Sequence, residues 1–182
     1  LAPYGDPVYT GLIKDNLIDI KEDGSFALDM NYFNYCTGLT MTNEKFNTLF
    51  KGPPREPESP LSQKEMNLAA SVQKVVEEVV IKLSYAAAKE TKLDNLCLAG
   101  GVALNCVASG KLLSENIFKD IWIQPAAGDT GIPLGAALYA KHILLKKERN
   151  WVMKHAFLAR KYSEQEIKTA LPKDLKVHRS KN

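Results

Sequence analysis

The 182 residues carry 45% hydrophobic and 25% charged side chains, the usage of an ordinary folded domain with enough apolar material for a real core. A formal net charge of +3 and a pI near 8.6 are too mild to mark a nucleic-acid or membrane surface, because lysines and glutamates alternate instead of clustering by sign. Cys36, Cys97 and Cys106 form no CxxC pair and leave an odd one over, which excludes a disulfide framework or a zinc site as the expectation and suits a reducing cytosol.

The chain opens Leu1-Ala2-Pro3-Tyr4-Gly5, with no initiator Met, basic leader or long apolar stretch, so it reads as a segment of a longer protein without a secretion signal or membrane span. Residues 17 to 30 alternate apolar and polar positions around Asp23-Gly24, a pair that supplies the positive torsions of a tight turn, and predict a β-hairpin. Phe46, Leu49 and Phe50 predict a short helix over 43 to 50. Gly52 and the prolines at 53, 54, 57 and 60 then forbid regular structure and make a stiff connector.

Ser62-Gln63-Lys64-Glu65 is a capping box, and Ala69, Val72, Val76, Val79, Leu83 and Ala86 follow at helical spacing, predicting a long amphipathic helix over about 62 to 90. Next come a strand at Leu96 to Ala99, Gly100-Gly101, a helix to about 115, a strand at Ile121 to Ile123, the turn Pro125-Ala126-Ala127-Gly128-Asp129-Thr130-Gly131 and a helix to about Arg149. Such alternation predicts an α/β sheet with functional turns at its strand ends. Beyond Trp151 the chain is more polar, and a second capping box at Ser163 to Glu166 opens a short helix that Pro172 ends. The organisation expected is therefore a domain over 1 to 150 and a connecting tail over 151 to 182.

Two turns can carry chemistry. Gly100-Gly101 lets a flat ligand approach the backbone and meet free N–H groups, with Asn105 facing it one turn on; the same glycines would equally serve a tight packing turn. The second turn sets the Asp129 carboxylate between Gly128 and Gly131 at a strand end, where it can cap the next helix or bind a metal, the flanking glycines opening space for a nucleotide. His142, His155 and His178 lack ligand spacing and read as structural or solvated, and Cys97 and Cys106 as small buried apolar groups.

LAPYG at 1 to 5, DGSFALDMNYFNY at 23 to 35, LCLAGGVALNCVASGKL at 96 to 112 and IWIQPAAGDTGIPLGAALY at 121 to 139 together resemble the O-carbamoyltransferases of nodulation-factor and antibiotic biosynthesis, the NodU/CmcH type. The resemblance implies an ASKHA fold (actin-like, ribonuclease H-like), of which this chain would be the second lobe, with a mixed sheet, flanking helices and the hairpin. It implies carbamoyl phosphate and ATP as substrates, a carbamoyl-adenylate made in a YrdC-like C-terminal domain, and transfer to the hydroxyl of a small-molecule acceptor in the ASKHA domain. Gly100, Gly101 and Asn105 would line the adenosine pocket, beside Gly128 and Gly131. Asp129 would be catalytic as one ligand of a divalent metal, with iron implied and two histidines supplied by the N-terminal lobe. The chain would pack against that lobe and the YrdC-like domain, with no nucleic acid or membrane as partner. Ala159-Arg160 stands where the family often has Gly-Pro, which affects the expected path of the tail. Other readings are a threonylcarbamoyl transferase, a sugar kinase, or a nucleotide-sensing module that lost catalysis; the fragment by itself is expected to be inactive.

Overall fold

The computed structural model describes residues 1–153, 160–172 and 175. Two compact units divide the chain, 1–136 and 137–182.

The first unit is organised on one long helix. Thr10–Asn16 forms α1, Ile18–Ile20 and Phe26–Leu28 form β1 and β2, Glu44–Leu49 forms α2, and Gln63–Thr91 forms α3. The Ser62 capping box forms as predicted, its hydroxyl and the Glu65 carboxylate each satisfying a backbone N–H that the first turn leaves free, and α3 ends at Lys92 in the left-handed region. The opening segment docks on the first turns of α3: Gln63 Nε2 donates to Tyr4 O (3.1 Å), Asp6 N to Asn67 Oδ1 (2.8 Å) and Tyr9 N to Ser71 Oγ (3.0 Å). A Cβ on Gly5 would stand 2.0 Å from Met66 O, so in Leu-Ala-Pro-Tyr-Gly the glycine is what lets the loop lie against the helix backbone.

The predicted hairpin is present, with Ile18 opposite Leu28 and Ile20 opposite Phe26. Gly24, at φ +83°, has a second constraint that the pattern did not contain: a Cβ there would meet Leu83 N at 2.4 Å, because the hairpin tip rests on α3. Ile13, Leu17, Phe50 and Val75 form the buried core between α1, α2 and α3, each contributing roughly 1.5–3 kcal/mol by burial. Phe50 packs edge-on to Tyr9, with ring centroids 5.6 Å apart, and against Phe46 at 4.7 Å.

The apolar stripe on α3 departs from the expectation of a buried face. Val72 and Leu83 are exposed, and with Val76 and Val79 they line an open apolar groove of about 630 Å³ between α3, the hairpin and α2. The buried positions of α3 include Ser84, Ser71, which accepts from Tyr9 N, and Glu77, which pairs with Lys111, whereas of the stripe residues only Val79 is buried.

After α3, β3 (Asn95–Leu98) and β4 (Asp120–Ile123) pair in parallel, Leu98 opposite Ile123, and α4 (Cys106–Ser114) makes the crossover and packs on α3. This is the α/β unit expected, though its described sheet has only two strands. One face of the pair is uncovered: Cys97 is exposed and Trp122 is 46% exposed. Cys106, at the start of α4, is exposed too, so the expectation of buried cysteines is corrected at both positions. Gly110 lies inside α4 with nothing within 4 Å of an added Cβ. A Gly110→Ala substitution is therefore expected to stabilise the fold by up to about 1 kcal/mol in urea denaturation, by removing the backbone entropy that glycine loses in a helix.

The helix after the acidic turn is shorter than expected. Helix α5 runs Ile132–Tyr139 and passes into a π-turn over Ala140–Leu144, where Leu145 N reaches back to Ala140 O and Lys146 turns left-handed at φ 50°. The His142 ring nitrogen Nδ1 lies 2.9 Å from Lys147 O, a structural use of that side chain, while His155 and His178 lie outside the described residues, as does Ala159. In the second unit α6, Glu164–Ala170, starts from the predicted capping box of Ser163 and Glu166. No described helix is long and apolar enough to cross a membrane.

Candidate functional site: two turns at parallel strand ends

Because β3 and β4 are parallel, both leave the sheet at the same end, and the turns that follow them meet. Gln124 N donates to Leu98 O (3.1 Å) and Gly100 N to Ala127 O (2.8 Å), extending the ladder past the last paired residues. A Cβ on Gly128 would come within 3.8 Å of Gly101 Cα. Gly100, Gly101 and Gly128 are thus brought together from 28 residues apart in sequence.

Gly100 sits at φ 94°, ψ 161°, a region almost reserved for glycine, and neither it nor Gly101 has any atom within 4 Å of where a Cβ would be. Among the described residues no packing contact forces glycine at these two positions. The bare backbone faces open space that a flat ligand could fill. Gly131 differs: its Cβ would stand 2.1 Å from Ala126 O, so its role is to let the acidic turn close, which Gly131 N completes by donating to Gly128 O at 2.9 Å.

The helix expected straight after the glycines starts later. Gly101–Leu104 is a 3-10 turn, and α4 proper begins at Cys106 with Asn105 as its cap. Asn105 Oδ1 accepts from Ala108 N (3.1 Å), and the amide also pairs reciprocally with Gln73 of α3, donating from Nδ2 to Oε1 (2.8 Å) and accepting from Nε2 (3.2 Å). The second Nδ2–H of Asn105 has no protein partner among the described residues.

Asp129 opens the short 3-10 turn Asp129–Gly131 and is exposed, and its carboxylate caps no helix. Of its two predicted roles, capping is therefore not the one it performs here. Among the described residues no group of three His, Cys, Asp or Glu side chains converges, so Asp129 supplies a single free carboxylate. One unshared anionic oxygen donor at the mouth of the turns suits a divalent cation completed by ligands from elsewhere.

Sequence reasoning missed the polar network behind the glycines. Glu77 is 4% exposed; its Oε1 accepts from Gln73 Nε2 (2.9 Å) and its Oε2 pairs with the Lys111 ammonium. Burial acts most strongly on Glu77 and raises its pKa, but the hydrogen bonds from Lys111 and Gln73 and the positive charges of Lys111 and Lys74 together outweigh it and hold the carboxyl below its usual value. The Gln73–Glu77 spacing is visible on a helix face, but the partners on α4 are 32 and 34 residues away, with nothing local to announce them.

Residues 1–138 match the family described as Carbamoyltransferase N-terminus. An uncharacterized protein of Synechocystis, sll1178, is 57% identical over 175 residues, covering 94% of this chain and 28% of that protein. The nodulation protein NolNO of Sinorhizobium fredii is 36% identical over 138 residues, 76% of this chain and 19% of its own length. A tRNA N6-adenosine threonylcarbamoyltransferase of Prochlorococcus marinus is 28% identical over 141 residues, 75% of this chain and 36% of that protein. The chain thus spans less than a third of the first two relatives. With three quarters of its length in the matched region and nodulation proteins aligned across it, this chain belongs to the carbamoyltransferase N-terminus family.

Proposed function

We propose that this chain forms one wall of the nucleotide cleft in an ATP-dependent O-carbamoyltransferase, as a lobe of an ASKHA-type domain. The observation that carries the reading is the pair of strand-end turns joined through Gly100 N and Ala127 O, with uncovered glycine backbone beside a free carboxylate. Adenosine would lie on Gly100 and Gly101, with the free Nδ2–H of Asn105 available to it and Gly128 leaving room for the phosphate side. Asp129 would occupy one coordination position of a divalent metal, for which the resemblance implies iron, and the metal when bound would stabilise negative charge on the carbamoyl oxygen. Carbamoyl phosphate and ATP would supply a carbamoyl-adenylate, and a small-molecule hydroxyl would accept the group. The aligned nodulation proteins favour a hydroxyl acceptor over the tRNA adenosine named for the Prochlorococcus relative, since the identity to NolNO is 36% and to the latter 28%. A net charge of +3 gives no support for an RNA-binding surface. Carbamoyl-phosphate-dependent exchange of pyrophosphate into ATP by the natural full-length protein, retained in an Asp129→Ala variant that loses transfer, tests the proposal.

A further inference from the structure

The buried carboxylate of Glu77 lies behind the glycine turn rather than in it, and burying a charge is costly unless it is paired and hydrogen-bonded, as Glu77 is by Lys111 and Gln73. Its connections lead in one direction. A carboxylate can only accept, so Gln73 must turn its NH₂ toward Glu77, which leaves Gln73 Oε1 to accept from Asn105 Nδ2. That choice in turn fixes Asn105 with Oδ1 toward Ala108 N, the orientation the start of α4 requires. Reversing the Gln73 amide would set its oxygen against the Glu77 carboxylate. Asn105 also closes the glycine turn, its N donating to Val102 O at 2.9 Å, while Ala103 N donates to Gly100 O at 3.1 Å. Ser109 Oγ, donating to Ala103 O at 3.3 Å, stitches the same turn to α4.

We propose that Glu77 is a positioning residue which, through Gln73, sets the orientation of the Asn105 amide and with it the affinity of the Gly100–Gly101 turn for an adenine nucleotide. This rests on the nucleotide-cleft reading above. Lys111 serves the same end from the half-exposed side of α4: its pairing opposes the burial that favours a protonated Glu77, and a protonated carboxyl could donate to Gln73 as well as accept from it. Glutamine at position 77 could present either its oxygen or its NH₂ to Gln73, so the direction of the chain of hydrogen bonds would no longer be enforced.

The test is site-resolved photolabelling of the natural full-length protein with 2-azido-ADP, quantified on peptides covering 96–112 and 124–136 as the probe concentration is raised. Glu77→Gln and Lys111→Met are each expected to raise the half-saturating concentration about tenfold, equivalent to ~1.4 kcal/mol, and Lys111→Arg to restore it. A fall in unfolding midpoint with half-saturation unchanged in both variants would make the network merely structural and overturn the proposal. Should Glu77→Gln not fold, Lys111→Met decides alone, since its side chain is 46% exposed and can be replaced without burying a new group. Wild-type protein that takes no label on either peptide would instead overturn the nucleotide-cleft reading itself.

Discussion

An Asp129→Ala variant of the natural full-length protein is expected to fold with unchanged stability, to keep carbamoyl-phosphate-dependent pyrophosphate exchange, and to lose carbamoyl transfer by two orders of magnitude or more. Stability should hold because the side chain is exposed and caps nothing, so its removal lies within about 0.5 kcal/mol of neutral. Transfer should collapse because a group that stabilises charge developing in the transition state is typically worth on the order of 10²–10³ in rate. Exchange should survive because the resemblance implies that the adenylate forms in a separate, YrdC-like domain. Incorporation of labelled carbamoyl groups into a panel of small hydroxylated acceptors, run beside exchange and urea denaturation, separates the three quantities. Retained transfer would return Asp129 to the status of an ordinary surface carboxylate.

The second large effect contrasts two glycines of the same site. Gly131→Ala forces a Cβ to 2.1 Å from a backbone oxygen, and the acidic turn must deform to admit it, at roughly 1–3 kcal/mol. Gly101→Ala meets nothing within 4 Å and is expected to leave urea stability almost unchanged. If Gly101 is bare so that a nucleotide can lie on the backbone, the added methyl occupies the ligand's place and should weaken ADP binding about tenfold or more. Binding by Gly101→Ala at wild-type strength would show that the open space above the turn is not used. The two variants thus divide structural glycine from functional glycine, which sequence alone treats identically.

Local signals made much of this fold legible. The capping boxes at Ser62 and Ser163, the Asp23-Gly24 hairpin and the strand-glycine-helix order each depend on residues within a few positions of one another, and each appears in the structure, the helix after Gly101 alone starting later than expected. Misreadings arose where distant or missing neighbours decide. The stripe through Val72 and Leu83 has the period of a buried face, but period cannot tell a filled core from an open groove. Cys97 follows an apolar strand pattern, yet it lies on a sheet face that nothing described covers. The helix after the acidic turn stops short of Arg149 because a left-handed Lys146 breaks it, and lysine gives no warning of that conformation.

At the candidate site the glycines and Asp129 were visible as types in a pattern, whereas their division of labour was not. The open surroundings of Gly100 and Gly101, and the backbone clash that reserves Gly131 for glycine, are facts of three-dimensional neighbours. Asn105 was singled out for a ligand contact, but its main structural duties, capping α4 and pairing with Gln73, come from the approach of α3. The Glu77–Lys111 pair stayed hidden for the same reason: two charged residues in a chain that is 25% charged announce nothing until one is found buried.

Pyrophosphate exchange bears most directly on the claim that the parent protein is an ATP-dependent carbamoyltransferase, since it needs no knowledge of the acceptor. With the natural full-length protein, labelled pyrophosphate is expected to enter ATP only when carbamoyl phosphate is present, as reversible formation of a carbamoyl-adenylate requires. A folded protein that binds ATP yet shows no such exchange would contradict the account, and would favour a nucleotide-sensing module or a different acyl donor.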